Sequence, residues 1–308
     1  MSHKKIIFMG TPQISEIYLN YLIDKKYNIV GVFTQPPRKK GRGMKFQKSS
    51  VHELAILNNL KVFTPLNLNN QEINQEILKL NPDLIIVMGY GLKLTTFILD
   101  FPKLGCINIH VSLLPRWRGA APIEHALLNG DKTTGITIFK LIDEMDAGPI
   151  ITSESINIYE NENKYELTNR LNILGTKLLD KILPTILGKK IIYKNQDINK
   201  ITYAKKISTE MRKLNFNQNI QNIQNQIRAF APNPSAWFYL KNEKIKIIKS
   251  TYEKGNYKPS IILNRQFHIG CNDGKICPKI VQREGKRTME LEEFLRGFSF
   301  EVGNKVNA

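Results

Sequence analysis

Cysteine is scarce in this 308-residue chain. Its three cysteines, Cys106, Cys271 and Cys277, show no Cys-x-x-Cys spacing and no neighbouring pair of histidines, so neither a disulfide framework nor a structural zinc site is supported. They are expected to be reduced packing residues, and no metal is implied. Long apolar runs are missing too. The longest, Leu84 to Leu92, is interrupted by Gly89 and Gly91 and stopped by Lys93, well short of the roughly 18 residues that a membrane helix needs. Near the start only Ile6 to Met9 separate Lys4 and Lys5 from Gly10-Thr11-Pro12, too little for the apolar core of a signal peptide. A cytoplasmic protein without membrane association is expected. Nor are the common catalytic signatures present. Gly10 stands alone where a dinucleotide site needs G-x-G-x-x-G, and no P-loop, G-x-S-x-G elbow or H-E-x-x-H is found. With 42% hydrophobic and 23% charged residues, the chain is ordinary globular protein, which excludes disorder, collagen and coiled coil.

The last shortage is of negative charge: 27 Asp and Glu stand against 45 Lys and Arg, a net charge of +18. Residues 205–308, a third of the length, carry 19 cations and 9 anions, a net +10. A basic final third suggests a polyanionic partner, most simply a nucleic acid backbone. The chain is also rich in Asn and Ile, so a coding bias toward Lys, Asn and Ile accounts equally well for the charge taken by itself.

Two kinds of pattern follow each other along the chain. Ile6 to Met9 is a short apolar run, Ile14, Ile17, Tyr18, Tyr21 and Leu22 recur at helical spacing, and Ile29 to Phe33 is a second run. Helical patterns over Val51 to Leu60 and Asn70 to Leu80 precede the buried strand Leu84 to Met88. Apolar runs alternating with amphipathic helices predict an α/β fold with a parallel sheet, over residues 1–190. From Ile191 to Ser208 a Lys/Asn-rich stretch without a period fits a linker. Residues 209–308 differ: a helix over Asn219 to Phe230 stops at Ala231-Pro232, and short runs (Trp237 to Leu240, Ile245 to Ile248, Gln266 to Cys271, Lys275 to Val281) alternate with turns, Asn272-Asp273-Gly274 being a strong hairpin signal. This part is expected to be mainly β, a small barrel.

Chemistry concentrates between Gly105 and Ile150. In Cys106-Ile107-Asn108-Ile109-His110 apolar residues alternate with Asn108 and His110, so on a strand both polar side chains share one face. The segment Ser112 to Gly119 reads as a loop, placing the pair near the carboxyl end of a strand, where open α/β sheets bind ligands. A second strand, Gly135 to Leu141, leads into an acidic loop, Ile142 to Pro149, from which Asp146 can approach His110. An amide to meet a developing oxyanion, an imidazole to place a proton and a carboxylate to orient it suit acyl transfer without a covalent nucleophile. By itself an Asn-x-His strand pair is more commonly a hydrogen-bonded structural pair.

The residues around that pair carry a resemblance. Asn108-Ile109-His110, Ser112-Leu113-Leu114-Pro115-Arg116-Trp117-Arg118-Gly119-Ala120-Ala121-Pro122-Ile123 and Asp146-Ala147-Gly148-Pro149-Ile150 resemble the signature of the folate-dependent formyltransferases. The likeness extends over almost the whole chain, through Gly31 to Pro36, Gly41-Arg42-Gly43, Thr202 to Ile207, Ile227 to Phe230 with Trp237, and Gly285-Lys286. Three positions depart from the usual pattern: Val111 replaces a small residue, Pro37 an Asp, and Ala231-Pro232-Asn233-Pro234 an aromatic-containing segment. None of them replaces a catalytic group. The resemblance implies a Rossmann-like catalytic domain followed by an OB-like barrel, and a monomer. It also implies 10-formyltetrahydrofolate as formyl donor and, within the family, closeness to members that formylate the methionine on initiator tRNA. Asn108, His110 and Asp146 would then be catalytic. Ser112, Leu113, Leu114 and Pro115 would form the folate loop, and Val87 to Leu92 would wall the pteridine pocket.

Arg38 to Lys48 holds six cations and no anion. Composition alone makes it a solvated loop, whereas the resemblance makes it a tRNA-contacting one, with Arg42 leading and Lys39, Lys40 and Lys45 beside it. The competing readings are a formyltransferase for a small amine, such as glycinamide ribonucleotide or an amino sugar nucleotide, and an inactive RNA-binding relative. The basic loop and the basic second domain weigh against the first, and the intact trio against the second.

Overall fold

In the computed structural model, residues 3–40 and 44–307 are described. Along the chain run β1 (Lys5–Gly10), α1 (Gln13–Asp24), β2 (Asn28–Phe33), β3 (Arg38–Lys40), β4 (Lys45–Gln47), α2 (Ser50–Leu57), β5 (Val62–Phe63), α3 (Gln71–Leu80) and β6 (Leu84–Met88). Then follow α4 (Thr96–Asp100), β7 (Cys106–His110), β8 (Arg118–Gly119), α5 (Pro122–Leu128), β9 (Thr133–Lys140), β10 (Ile150–Asn157) and α6 (Lys164–Leu187). The remainder contains β11 (Tyr203–Ala204), α7 (Ile220–Phe230), β12 (Ala236–Leu240), β13 (Glu243–Lys254), β14 (Ile269–Cys271), β15 (Gly274–Arg283), β16 (Thr288–Glu290) and α8 (Leu291–Gly297). Two compact units emerge. The first comprises Met1–Gly119, Gly135–Ile156 and Arg170–Tyr203, the second Ala120–Thr134, Asn157–Asn169 and Ala204–Ala308.

The first unit is built on a seven-stranded sheet in the order β10-β9-β7-β6-β1-β2-β5. Pairing is parallel from β5 through β7, as the unbroken apolar runs predict, but β9 joins β7 antiparallel, with His110 opposite Thr137. Ile7, Met9, Ile85 and Val87 on one pleat face pack with Ile77 of α3 and with Ile98 and Leu99 of α4. Ile6, Phe8, Leu84 and Ile86 are equally buried, and alternation puts them on the opposite face. Burial on both faces is why these strands carry no polar alternation. Side-chain caps fix the helix starts: Ser49 accepts from the His52 amide before α2, and Asn70 from the Glu72 amide before α3.

The Lys/Asn-rich stretch expected to be a linker is held down between Lys194 and Thr202. Lys194 pairs with Ile150, and Thr202 accepts at its hydroxyl from the Trp117 amide. Lysine and asparagine carry no periodic signal, so backbone pairing of this kind leaves no trace in composition. The basic segment read as a loop is in part a hairpin, since β3 and β4 pair antiparallel on either side of residues 41–43.

The second unit is mainly β. Strands β12, β13, β15 and β14 pair in that order, antiparallel throughout, and β16 pairs with β15. Register shifts after Ile247 and at Lys249 bend β13. The predicted hairpin is present, Asn272 and Asp273 joining paired Cys271 and Gly274. Gly274 is required there, because a Cβ would lie 2.3 Å from the Glu253 carbonyl oxygen. Asn219 caps α7 through the Asn222 amide, and Ile220, Ile223, Ile227 and Phe230 bury one face of it among Phe216, Phe238, Phe267 and Phe294.

Candidate active site

In the first unit the strand order turns at β1, which has β2 on one side and β6 on the other. Open α/β sheets leave a crevice beyond the carboxyl ends of such strands, because the connections depart in opposite directions. The loops leaving β1, β2 and β6 are tied together there. Thr11 donates its hydroxyl to the Tyr90 carbonyl (3.0 Å) and accepts from the Gln35 amide (3.2 Å), while the Gln35 side-chain amide donates to the same carbonyl (3.3 Å). Gly89 and Gly91 have φ of +58° and +86°, left-handed conformations that glycine adopts without strain. Tyr90 is 2% exposed, and burial pushes its phenol well above the ordinary value.

At the end of β7, two residues apart, stand Asn108 and His110. The Asn108 Oδ1 is buried and has no partner among the described residues, an uncommon and costly state for a carboxamide. This oxygen is an acceptor that no donor of the described residues meets. His110 is buried and edge-on to Phe139. Its Nε2 lies 2.9 Å from the Trp117 carbonyl oxygen; a carbonyl only accepts, so Nε2 carries the hydrogen. Its Nδ1 faces Asp146 Oδ2 at 3.9 Å, an ion-pair distance rather than a hydrogen bond. That same Oδ2 accepts from the Gly119 amide at 2.7 Å. Asp146 itself sits at φ +51°, a left-handed conformation that most side chains avoid. Gly148 lets the loop return against β9, since a Cβ there would lie 1.7 Å from the Lys140 carbonyl oxygen. The structure thus brings Asn108, His110 and Asp146 together.

The loop Ser112, Leu113, Leu114, Pro115 is held from two sides. Ser112 donates its hydroxyl to the Arg116 carbonyl (2.6 Å), and Thr137 of β9 donates to the Ser112 carbonyl (2.7 Å) while accepting from the Leu114 amide (3.1 Å). Gly135 makes room for Leu113, whose Cδ2 a Cβ would approach to 2.6 Å. Cys106, two residues before Asn108, donates to the Ile98 carbonyl, and burial drives its thiol well above the usual range. It is packing, as expected. Among the described residues no cluster of three or more His, Cys, Asp or Glu is arranged to hold a metal. No described helix is long and apolar enough to cross a membrane.

Of the basic residues expected to contact tRNA, Arg42 lies outside the described residues. Lys39 and Lys45 are exposed on β3 and β4, and Lys40 pairs with Lys45 through the backbone. The Lys39 ammonium lies 5.7 Å from the ring centre of Phe46, an aromatic residue 70% exposed. Sequence reasoning missed Gln196 and Thr137, which hold the functional loops. Each is distant in sequence from what it holds and neither belongs to a motif.

Comparison with known proteins places this geometry. A family model described as formyl transferase matches residues 4–183, and one described as formyl transferase, C-terminal domain, matches residues 206–299. Methionyl-tRNA formyltransferase of Rickettsia bellii is 38% identical over 304 residues, covering 98% of this chain and 99% of that one. The protein of the same name from Anaplasma marginale is 39% identical over 302 residues, with 97% and 98% covered. Among solved structures, the sugar 3N-formyl transferase WlaRD, in the presence of dTDP and 5-N-formyl-THF, superposes with a TM-score of 0.65 at 23% identity, covering 92% of this chain and 99% of that one.

Proposed function

The chain belongs to the formyl transferase family, and from that premise we propose that it moves the formyl group of 10-formyltetrahydrofolate onto the α-amine of methionine carried by initiator tRNA, using Asn108, His110 and Asp146. The products are N-formylmethionyl-tRNA, with which translation starts, and tetrahydrofolate, whose N10 gives up the formyl carbon and takes the proton that the amine loses. The near-full-length identity to relatives named for this reaction carries the reading; the sugar formyltransferase likeness, at lower identity, speaks to fold alone. A cytoplasmic monomer suits this substrate.

Asn108 stands beside His110 at the carboxyl end of β7, and its buried Oδ1, which nothing in the described chain satisfies, offers an acceptor for an N–H of the bound substrates. Bound at the crevice, the folate supplies an electrophilic formyl carbon. Ser112 to Pro115 would hold it on one side, and Val87 to Leu92 on the other. Asn108 donates through Nδ2 to the formyl oxygen as charge builds there, an interaction stronger in the transition state than in the ground state. His110 is tied at Nε2 to Trp117 and aimed at Asp146 through Nδ1. As placed, it acts as an oriented electrostatic partner of the reacting centre; proton shuttling through Nε2 requires release of the Trp117 carbonyl. Asp146 orients it. Residues 1–190 would carry this chemistry, and residues 209–308, joined to them through 191–208, would meet the tRNA phosphates. Arg42, Lys39, Lys40 and Lys45 would approach its acceptor end.

An assay offering 10-formyltetrahydrofolate with charged methionyl-tRNA, glycinamide ribonucleotide and an amino sugar nucleotide in parallel tests this. Formylation of methionyl-tRNA alone is expected. Transfer to a small amine in preference to it would replace the reading.

A further inference from the structure

Gln196 comes from the stretch that composition marks as a linker, 50 residues from Asp146. Its side-chain amide is fully used. Nε2 donates to the Asp146 carbonyl and to the Gly148 carbonyl, both at 2.8 Å. Oε1 accepts from Arg118 Nε at 3.1 Å and from the second Arg118 nitrogen, Nη2, at 2.9 Å. Arg118 is 3% exposed, and its third nitrogen, Nη1, meets Glu144 Oε1 at 3.1 Å. One neutral amide therefore joins a buried guanidinium to two backbone carbonyls of the acidic loop.

We propose that Gln196 is a positioning residue for the reaction: anchored by Arg118, it holds the Asp146 backbone so that the carboxylate faces His110. The proposal rests on the catalytic role assigned above to Asp146. The physical need for such a clamp is visible at Asp146 itself. Its left-handed backbone at φ +51° persists only where surrounding bonds over-determine it. The Gly119 amide fixes one carboxylate oxygen and the Lys140 amide holds the Pro149 carbonyl; between those points the two bonds from Gln196 hold the backbone carbonyls on either side of Ala147. Glutamine suits the position because a single group must donate twice toward the carbonyls and accept twice from the arginine. A glutamate there would pair better with Arg118 and would turn acceptor against acceptor at the loop.

Steady-state kinetics on the full chain test the proposal, with Gln196→Met, Gln196→Glu, Asp146→Asn and the double variant Gln196→Met/Asp146→Asn. Misplacing a reacting group by about an ångström can cost on the order of 100-fold, and Gln196→Met should lower kcat by up to that factor while leaving the KM for 10-formyltetrahydrofolate and for methionyl-tRNA unchanged. Gln196→Glu, close in volume, should be as damaging, and it keeps the test open if the methionine variant fails to fold. In the Asp146→Asn background Gln196→Met should cost little, because residues that act as a unit lose their effect together. Restoration of activity by glutamate would make the role one of neutralising Arg118, and would overturn the proposal. Equal losses in both backgrounds, or a rise in KM with kcat unchanged, would do the same. Wild-type kcat in Asp146→Asn alone would instead remove the catalytic reading on which the proposal stands.

Discussion

His110 and Asp146 illustrate how a few contacts decide what a side chain is able to do. With one nitrogen bonded to Trp117 and the other aimed at Asp146, the imidazole has one orientation, so removing Asp146 removes much of what His110 contributes. His110→Ala and Asp146→Ala should each lower kcat, and the double variant should lose far less than the product of the two losses. Asn108→Ala should cost on the order of 100-fold in kcat, as loss of one oxyanion donor does, with tRNA affinity unchanged in a filter-binding assay. The pair on β7 was legible because a strand has period two; Asp146 was legible as an acid in a loop. Gln196 was not, since its partners are backbone carbonyls, which no pattern of side chains announces. A residue away from the site carries a separate prediction. Burial, together with Lys275 and Lys279, lowers the proton affinity of His268 below its ordinary value of 6.5, against the opposing pull of Glu253. The unfolded chain then takes up that proton first as pH falls, so the contribution of His268 to stability is intact above about pH 6.5 and shrinks below it. His268→Gln should flatten the loss of stability between about pH 7.5 and 5.5, followed by urea midpoints.

Elements of the second unit depend on a buried cation. Arg228 of α7 is 7% exposed; it donates to Asn225 Oδ1 at 3.0 Å and to the carbonyls of Tyr159 and Glu162 at 3.3 and 3.4 Å. Burial disfavours its charge, and Glu162 and Glu160 oppose that cost. Through these bonds residues 157–169 are fastened to α7, which also packs on α5, with Leu128 reaching the phenylalanine core. That is why the second unit takes up two segments lying far upstream in the chain. Arg228→Met removes the hydrogen bonds that a charged, buried donor makes to Asn225, Tyr159 and Glu162, which should cost about 2–3 kcal/mol in a denaturant titration. A loss below about 0.5 kcal/mol would be that of an ordinary surface change and would show that the clamp does not matter. Legibility at this scale followed the pattern of apolar residues. The helix over Asn70 to Leu80 was readable because its apolar residues recur at helical spacing, and the strand Leu84 to Met88 because its apolar run is unbroken. The direction of β9 and the short hairpin of β3 and β4 were not, because strand polarity and three-residue pairing leave no repeat in composition.

For the whole molecule the question is whether a net charge of +18 serves binding or merely records a coding bias. Geometry gives the charge a definite surface in the second unit. On β13, Lys244 and Lys246 alternate with buried Ile245 and Ile247, and their cross-strand partners are Tyr239 and Trp237 of β12. The Lys244 ammonium lies 4.9 Å from the Trp237 ring centre and 5.6 Å from that of Tyr239. Trp237 is buried and Tyr239 half-buried, so the rings hold the Lys244 charge in place beside the sheet, which suits contact with a nucleic acid backbone rather than base stacking. A coding bias would scatter lysine without regard to such neighbours. Each phosphate that a lysine neutralises releases counterions, so binding that uses these residues must weaken steeply with salt. Replacing Lys244, Lys246 and the exposed Lys249 with Gln in the full chain should weaken tRNA binding and reduce the magnitude of the salt slope by up to about one unit for each phosphate left without its lysine. The KM for 10-formyltetrahydrofolate should stay as it is, because the residues proposed to hold it lie in the first unit. If affinity and salt slope both match those of the unaltered protein, these three lysines owe their place to coding bias, and the tRNA is held elsewhere, with the basic β3 and β4 hairpin the next surface to alter.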